Sequence, residues 1–166
     1  MPTVQLTPGT YGRDAADRRV EAREPTLEGA RAALECFYFA FNNRSLEALA
    51  AVWAQNPLIS LNNPLGGITR GIDDICALYQ RIFDGPARVW VEFYDVVEYA
   101  GQDMVVFAGR ERGELTQDGV TVPLAIRTTR VFQYFGGELG WRQVHHHGSI
   151  DDPDSLARYR RAVFGE

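Results

Sequence analysis

From Val89 to Ile150 the chain is rich in Val, Thr, Ile, Phe, Tyr and Trp, and turn residues punctuate it at Gly101, Asp118-Gly119 and Gly136-Gly137. β-Branched and aromatic side chains suit a pleated, half-buried surface, and Gly or Asp-Gly between such runs closes hairpins. The run reads as four strands joined by hairpins, and the strongest helical patterns all precede it. Neighbouring hairpins give an antiparallel sheet, and helices segregated ahead of it must pack on one of its faces, which makes the class α+β. Some of these strands exceed the usual ~5 to 6 residues. Bends or bulges are therefore expected, with Gly109, Gly113 and Pro123 as their sites. A long bent sheet with helices on one face leaves a hollow between them.

Three helices are predicted ahead of the sheet. Leu27, Ala30, Leu34, Phe37 and Phe41 form a stripe at helical spacing, opening after Pro25-Thr26 and stopping at Asn42-Asn43. Ser45 caps a second helix with Glu47 in its first turn and Leu46, Leu49 and Trp53 facing inward, until Asn56-Pro57 ends it. Leu58 to Leu61 reads as a short strand, and Asn63-Pro64 and Gly66-Gly67 turn the chain back. After Gly71, Asp73 and Asp74 favour a helix start, and Ile75, Leu78, Tyr79, Ile82 and Phe83 trace one face before Asp84-Gly85-Pro86.

A chain of 166 residues has room for one core. Residues 1–25 mix Pro, Gly and charge without a period and read as an arm, loosely attached; residues 26–150 form the pocketed domain; residues 151–166 form a charged tail with a short helix on the outside. The net charge of -5 and the absence of a basic run disfavour nucleic acid. No stretch is long and apolar enough for a bilayer, and the N-terminus lacks a secretory h-region, so the chain reads as a cytoplasmic protein. Cys36 and Cys76 sit in helical patterns and suit reduced core positions.

Candidate functional residues are those that break the core pattern. On the strand from Thr121 to Phe135, Val122, Leu124, Ile126, Thr128, Arg130, Phe132 and Tyr134 share a side, which sets Arg130 within an apolar face. A guanidinium is not buried alone. Either it pairs with Glu35, Glu92 or Glu111, or it binds a ligand. On the preceding strand Met104, Val106, Ala108, Arg110 and Arg112 share a face, which would bring a second arginine to the hollow and favour an anion. His145, His146 and His147 invite a metal, but adjacent strand residues point to opposite sides, so a three-histidine site from this run is excluded. No metal or cofactor is expected, and His146, in phase with Val144, is the candidate for the pocket.

These elements resemble the nuclear transport factor 2-like superfamily, and within it the SnoaL-like branch related to the association domain of calcium/calmodulin-dependent protein kinase II. The resemblance rests on Phe41-Asn-Asn-Arg-Ser-Leu-Glu-Ala-Leu49, on Gly71-Ile-Asp-Asp-Ile75, and most specifically on Thr129-Arg-Val-Phe132 followed by Gly140-Trp-Arg-Gln-Val-His-His-His-Gly-Ser149. It implies a cone-shaped fold, three N-terminal helices on a strongly bent antiparallel sheet enclosing one pocket, and commonly a homodimer through the outer face of the sheet. Asn63 stands where the family's ketosteroid isomerases carry a catalytic Asp, Phe37 where they carry a tyrosine, and Arg127 near their second acid, so that chemistry is not expected. Arg130 matches a carboxylate-holding arginine of the kinase association domain, and Arg112 or Arg110 matches a second. Gly148 stands where a third would lie.

Three functions fit this reading. The first is a small-molecule-binding domain whose pocket holds an anionic or carboxylate-bearing ligand with Arg130, Arg112 or Arg110, helped by Tyr38, Asn63, Trp53 and His146. The second is a cyclase, isomerase or hydratase acting on a carbonyl compound with His146 as acid or base. The third is an oligomeric assembly module.

Overall fold

The computed structural model describes residues 2–165. In chain order the elements are β1 (Thr3–Leu6), α1 (Leu27–Asn42), α2 (Leu46–Val52), β2 (Ser60–Asn62), β3 (Thr69–Arg70), α3 (Ile72–Asp84), β4 (Arg88–Ala100), β5 (Met104–Gln117), β6 (Val120–Tyr134), β7 (Trp141–Ser149) and α4 (Pro153–Phe164). The expected α+β architecture is present, with one helix more than the three read as packing on the sheet. The strands form one sheet in the order β1-β4-β5-β6-β7-β2-β3. All neighbours are antiparallel except β2 and β7, which run parallel. The early strand is shifted from the expected Leu58 to Leu61, because the Leu58 and Ile59 N–H groups turn back onto Asn56.

Side-chain caps start three of the four helices, α1, α2 and α4. The Thr26 hydroxyl accepts from the Gly29 N–H, Ser45 from Ala48, and the Asp152 carboxylate from Ser155, each satisfying an orphan donor of a first turn. Helix α1 lays Leu34, Phe37, Tyr38 and Phe41 against the sheet, and Tyr79 and Phe83 of α3 complete the aromatic layer. The long strands bend at two register shifts, between Tyr94 and Val97 on β4 and between Val131 and Phe132 of β6 opposite β7. Asp95, at φ 51°, takes the first bend. Of the expected sites, Gly109 stands opposite the first bulge, while Gly113 and Pro123 pair in register. Gly109 and Gly113 also answer a different need, the close approach of β4: a Cβ on Gly109 would meet the Asp95 and Tyr94 carbonyl oxygens at 2.9 Å, and one on Gly113 would overlap that of Trp90.

The N-terminal arm is docked rather than loose. Strand β1 pairs with β4 from Thr3↔Ala100 to Leu6↔Val97, and the backbones of Tyr11 and Phe93 exchange hydrogen bonds of 3.0 and 2.8 Å. Further along, Arg18 bridges Glu28 and Glu35 on α1, and the Trp141 indole donates to the Glu24 carbonyl. Glu98, fully buried on β4, ties the arm and α1 together through Gln5 and Arg31.

Candidate functional site

Alternation along β6 puts Leu124, Ile126, Thr128, Arg130 and Phe132 on the helix-facing side of the sheet. Arg130 is 1% exposed, so its charge must be met within the protein. Its Nη2 donates to Glu111 Oε1 at 3.0 Å, Nε to the Tyr38 hydroxyl at 3.0 Å and Nη1 to Gln143 Oε1 at 3.0 Å. The Tyr38 hydroxyl donates in turn to Glu111 Oε1 at 2.6 Å, and the guanidinium lies 3.5 Å over the Phe37 ring. Of the three acids that could have paired with Arg130, Glu111 does; Glu35 pairs with Arg18 and Glu92 with Arg112. The cluster is neutral overall, with Tyr38 held protonated by burial although Arg130 pulls the other way. Three of the five guanidinium N–H groups are used in this way.

His146 is the Cα partner of Arg130 across β6 and β7, and of Leu61 across β7 and β2, which sets its ring on the same inner face. It is 3% exposed, and neither ring nitrogen has a hydrogen-bond partner. Burial first, and the Arg130 charge second, push its pKa well below the usual histidine value, so the imidazole is neutral at pH 7. Beside it a cavity of ≈ 30 Å³ is lined by Phe37, Asn63, Tyr79, Glu111, Arg130 and Tyr159, among others. Tyr79 feels the Arg130 charge, yet its hydroxyl finds no partner of good hydrogen-bond geometry. Buried polar groups are nearly always satisfied. Two such groups around one small void mark a place for a ligand atom or an ordered water.

Not every predicted residue reaches this place. Arg130, Tyr38, His146 and Asn63 converge. Asn63 shapes the wall, its Oδ1 accepting from the Leu65 N–H at 2.9 Å to fold the turn. Trp53 is buried at the end of α2, bridged to Gln143, and does not line the cavity. Arg110 and Arg112 lie on the outer face, paired with Asp95 and Glu92 at 3.2 Å each, so neither can join Arg130. On β5 it is Val105, Phe107, Glu111 and Leu115 that point inward. His145 and His147 also face outward, toward Ser60 and Asn62. Among the described residues no three His, Cys, Asp or Glu side chains gather as a metal site. Gln143, Tyr79 and Tyr159 are additions to the sequence reading. Tyr79 alone carried a signal, a hydroxyl on the apolar stripe of α3.

A curled, unclosed sheet wrapped on helices, with a polar cluster in its hollow, defines a nuclear transport factor 2-like protein. The chain belongs to the SnoaL-like domain family, whose sequence pattern matches residues 30–153. It is 31% identical to a proposed calcium/calmodulin-dependent protein kinase type II association domain from Thiobacillus denitrificans, with 74% of this chain and 94% of that one covered and a TM-score of 0.59. A proposed dehydratase of the nuclear transport factor 2-like family from Streptomyces avermitilis is 21% identical, with 74% and 94% covered and a TM-score of 0.65. A ketosteroid isomerase-like protein from Erwinia carotovora atroseptica is 20% identical, with 75% and 95% covered and a TM-score of 0.63. The last two likenesses are of fold. No curated protein matches the chain. None of the helices among the described residues is long and apolar enough to cross a membrane.

Proposed function

We propose that this protein is a small-molecule-binding domain whose ligand sits between His146 and the Arg130–Glu111–Tyr38 cluster. The observation that carries the reading is the His146 imidazole, enclosed beside a cavity with both nitrogens unpartnered. The charge of the ligand follows from Glu111. Because Arg130 is already neutralised, a carboxylate would enter as an uncompensated buried charge, whereas a neutral molecule bearing a hydroxyl or carbonyl oxygen needs only hydrogen bonds from Arg130, Tyr79 or His146. The carboxylate expected from an unpaired Arg130 is thus the less favoured ligand. A thermal-shift panel of matched pairs at pH 7, benzoate against benzamide and acetate against acetamide, tests this. Neutral members are expected to raise the midpoint more, with the response lost in His146→Phe. A larger response to the carboxylates would overturn it.

A second reading makes His146 a general base on an enolisable carbonyl compound. It is supported by the neutral imidazole beside a cationic hydrogen-bond donor, Arg130, that could hold an enolate oxygen. Under it, a bound ketone exchanges its α-hydrogen with D₂O, and His146→Gln abolishes the exchange. Binding without exchange leaves the first reading alone.

For assembly, we infer a homodimer through the outer face of the sheet. Register sets Val4, Tyr99, Val106 and Val131 in one row across that face and Leu6, Val97 and Ala108 in the next, with Val4, Leu6 and Tyr99 well exposed. Burying such a face against its own copy removes apolar surface from water. Light scattering is expected to report a dimer that Tyr99→Lys converts to monomer; a monomeric native chain would end this reading.

A further inference from the structure

A cavity of ≈ 30 Å³ admits about one water, whereas sites for small molecules run to about 300 Å³ and more. What fills the difference is the C-terminal helix. Of the residues on α4 only Tyr159 is buried, and it reaches the lining of the cavity together with Arg130, His146 and Tyr79. Its hydroxyl stays protonated because burial, and the Glu111 charge nearby, resist ionisation. The pocket therefore already holds a neutral phenol, delivered by the chain itself.

Open space flanks α4 on two sides, while the Arg160 guanidinium donates to the Leu65 carbonyl and Phe164 lies under Arg81. A space of ≈ 280 Å³ lies along its N-terminal end, lined by Asp152 and Ser155 and also by Glu111 and Ile126, which line the inner cavity too. Another of ≈ 330 Å³ lies along its other flank, between Arg158, Arg161 and Ala162 and the β5–β6 hairpin. Leu156, Ala162, Val163 and Phe164 are only half-buried. The matched family pattern ends at residue 153, where α4 begins, so the helix is an addition to the part of the domain that carries the pocket.

We propose that α4 is a displaceable stopper whose Tyr159 ring occupies the ligand's own space, and that the ligand is a neutral phenol-sized aromatic bearing a hydroxyl or carbonyl oxygen. The proposal rests on the binding site described above and adds its ligand class and its gate. A molecule that displaces Tyr159 must replace what the side chain supplies, which is a ring at the edge of a cavity lined by Phe37, Phe41 and Tyr79 and one hydroxyl oxygen. Once α4 is away, the inner cavity, the volume of the ring and the space at Glu111 join, bringing the site into the ordinary size range.

The probe is p-cresol, the tyrosine side chain as a free molecule, with toluene as its oxygen-free counterpart. In the full chain carrying Tyr159→Ala, saturating p-cresol is expected to raise the thermal midpoint by about 3 °C or more, above the rise with toluene and well above that of the native chain. Tyr159→Leu serves if the alanine variant does not fold. In the native chain, a ligand from the neutral panel is expected to speed amide exchange in α4 at least about tenfold while slowing it around His146. Equal responses to toluene and p-cresol would overturn the ligand class. Binding to the native chain with α4 exchange unchanged would overturn the stopper and leave the binding site standing. If neither the native chain nor either variant binds any probe, both fall.

Discussion

An Arg130→Met variant is expected to lose about 3 to 5 kcal/mol of stability, because it leaves Glu111 buried without its counter-charge. At about 2 to 4 °C per kcal/mol for a chain of this size, the thermal midpoint should fall by roughly 10 °C. Glu111→Leu should cost about as much from the other side, stranding a guanidinium that would keep only Tyr38 and Gln143. The informative variant is the double one. With both charges gone, an apolar pair in a layer already built from Phe37, Phe107 and Phe132 should recover much of the loss, giving a coupling energy of about 2 to 4 kcal/mol in the double-mutant cycle. A loss of less than about 1 kcal/mol in Arg130→Met would show that the cluster is open to water and not a buried ion pair. The experiment also bears on function. If the double variant is stable yet no longer responds to the neutral ligands, the pair serves binding more than folding.

How far the sequence reveals this site depends on strand phase. Arg130 was legible because β6 alternates cleanly, with Leu124, Ile126 and Phe132 fixing the inner side and the arginine falling among them. On β5 the segment Met104-Val-Val-Phe-Ala108 is apolar in both phases, so it does not say which face is buried. Only Leu115, in phase with Glu111, and the small Gly109 and Gly113 pressed against β4 point to the true inner face. Taking the other phase sends Arg110 and Arg112 inward and Glu111 outward, which removes the partner of Arg130 and creates an apparent anion site. On β4 the bulge at Asp95 reverses the phase, so Val91 and Phe93 point inward before it and Val96 and Glu98 after it. A one-residue shift of this kind exchanges every side chain between faces.

The terminal segments were obscured for a different reason. The arm has no periodicity, and it is held by edge pairing and by ion pairs such as Arg18 with Glu35, contacts that depend on partners far along the chain. Helix α4 carries three arginines and reads as a solvated exterior helix, which is true of every side except the one where Tyr159 enters the hollow. One fully buried side chain among half-buried ones on a charged helix leaves little signal in a hydrophobic pattern. The helix hairpin, by contrast, was legible because Thr26, Ser45 and the Asn42-Asn43 stop act within a few residues of themselves.

Acid should unfold the protein earlier than its carboxylates alone would require, and His146 is the reason. Above pH ~6.5 the imidazole is neutral in both the folded and the unfolded chain and contributes no pH dependence. As pH falls through that value the unfolded chain takes up a proton, while the folded one, with its imidazole enclosed beside Arg130, refuses it. The unfolded state then binds more protons, and stability declines by up to about 1.4 kcal/mol per pH unit until the depressed folded value is reached. His145, also lowered but half-exposed beside Ser60 and His147, adds a smaller slope of the same sign. The lowered carboxylates Asp17, Glu92, Glu98 and Asp152 add theirs only below about pH 5, in the range of ordinary carboxylates. Urea unfolding from pH 8 to 5 at constant ionic strength should therefore show a decline beginning near pH 6.5 that His146→Gln flattens, since glutamine has no proton to gain. His146 ring resonances, assigned by their loss in His146→Gln, that titrate near ~6.5 in the folded protein, or a slope unchanged by the substitution, would show that the imidazole is already solvated and that the cavity beside it is open without any movement of α4.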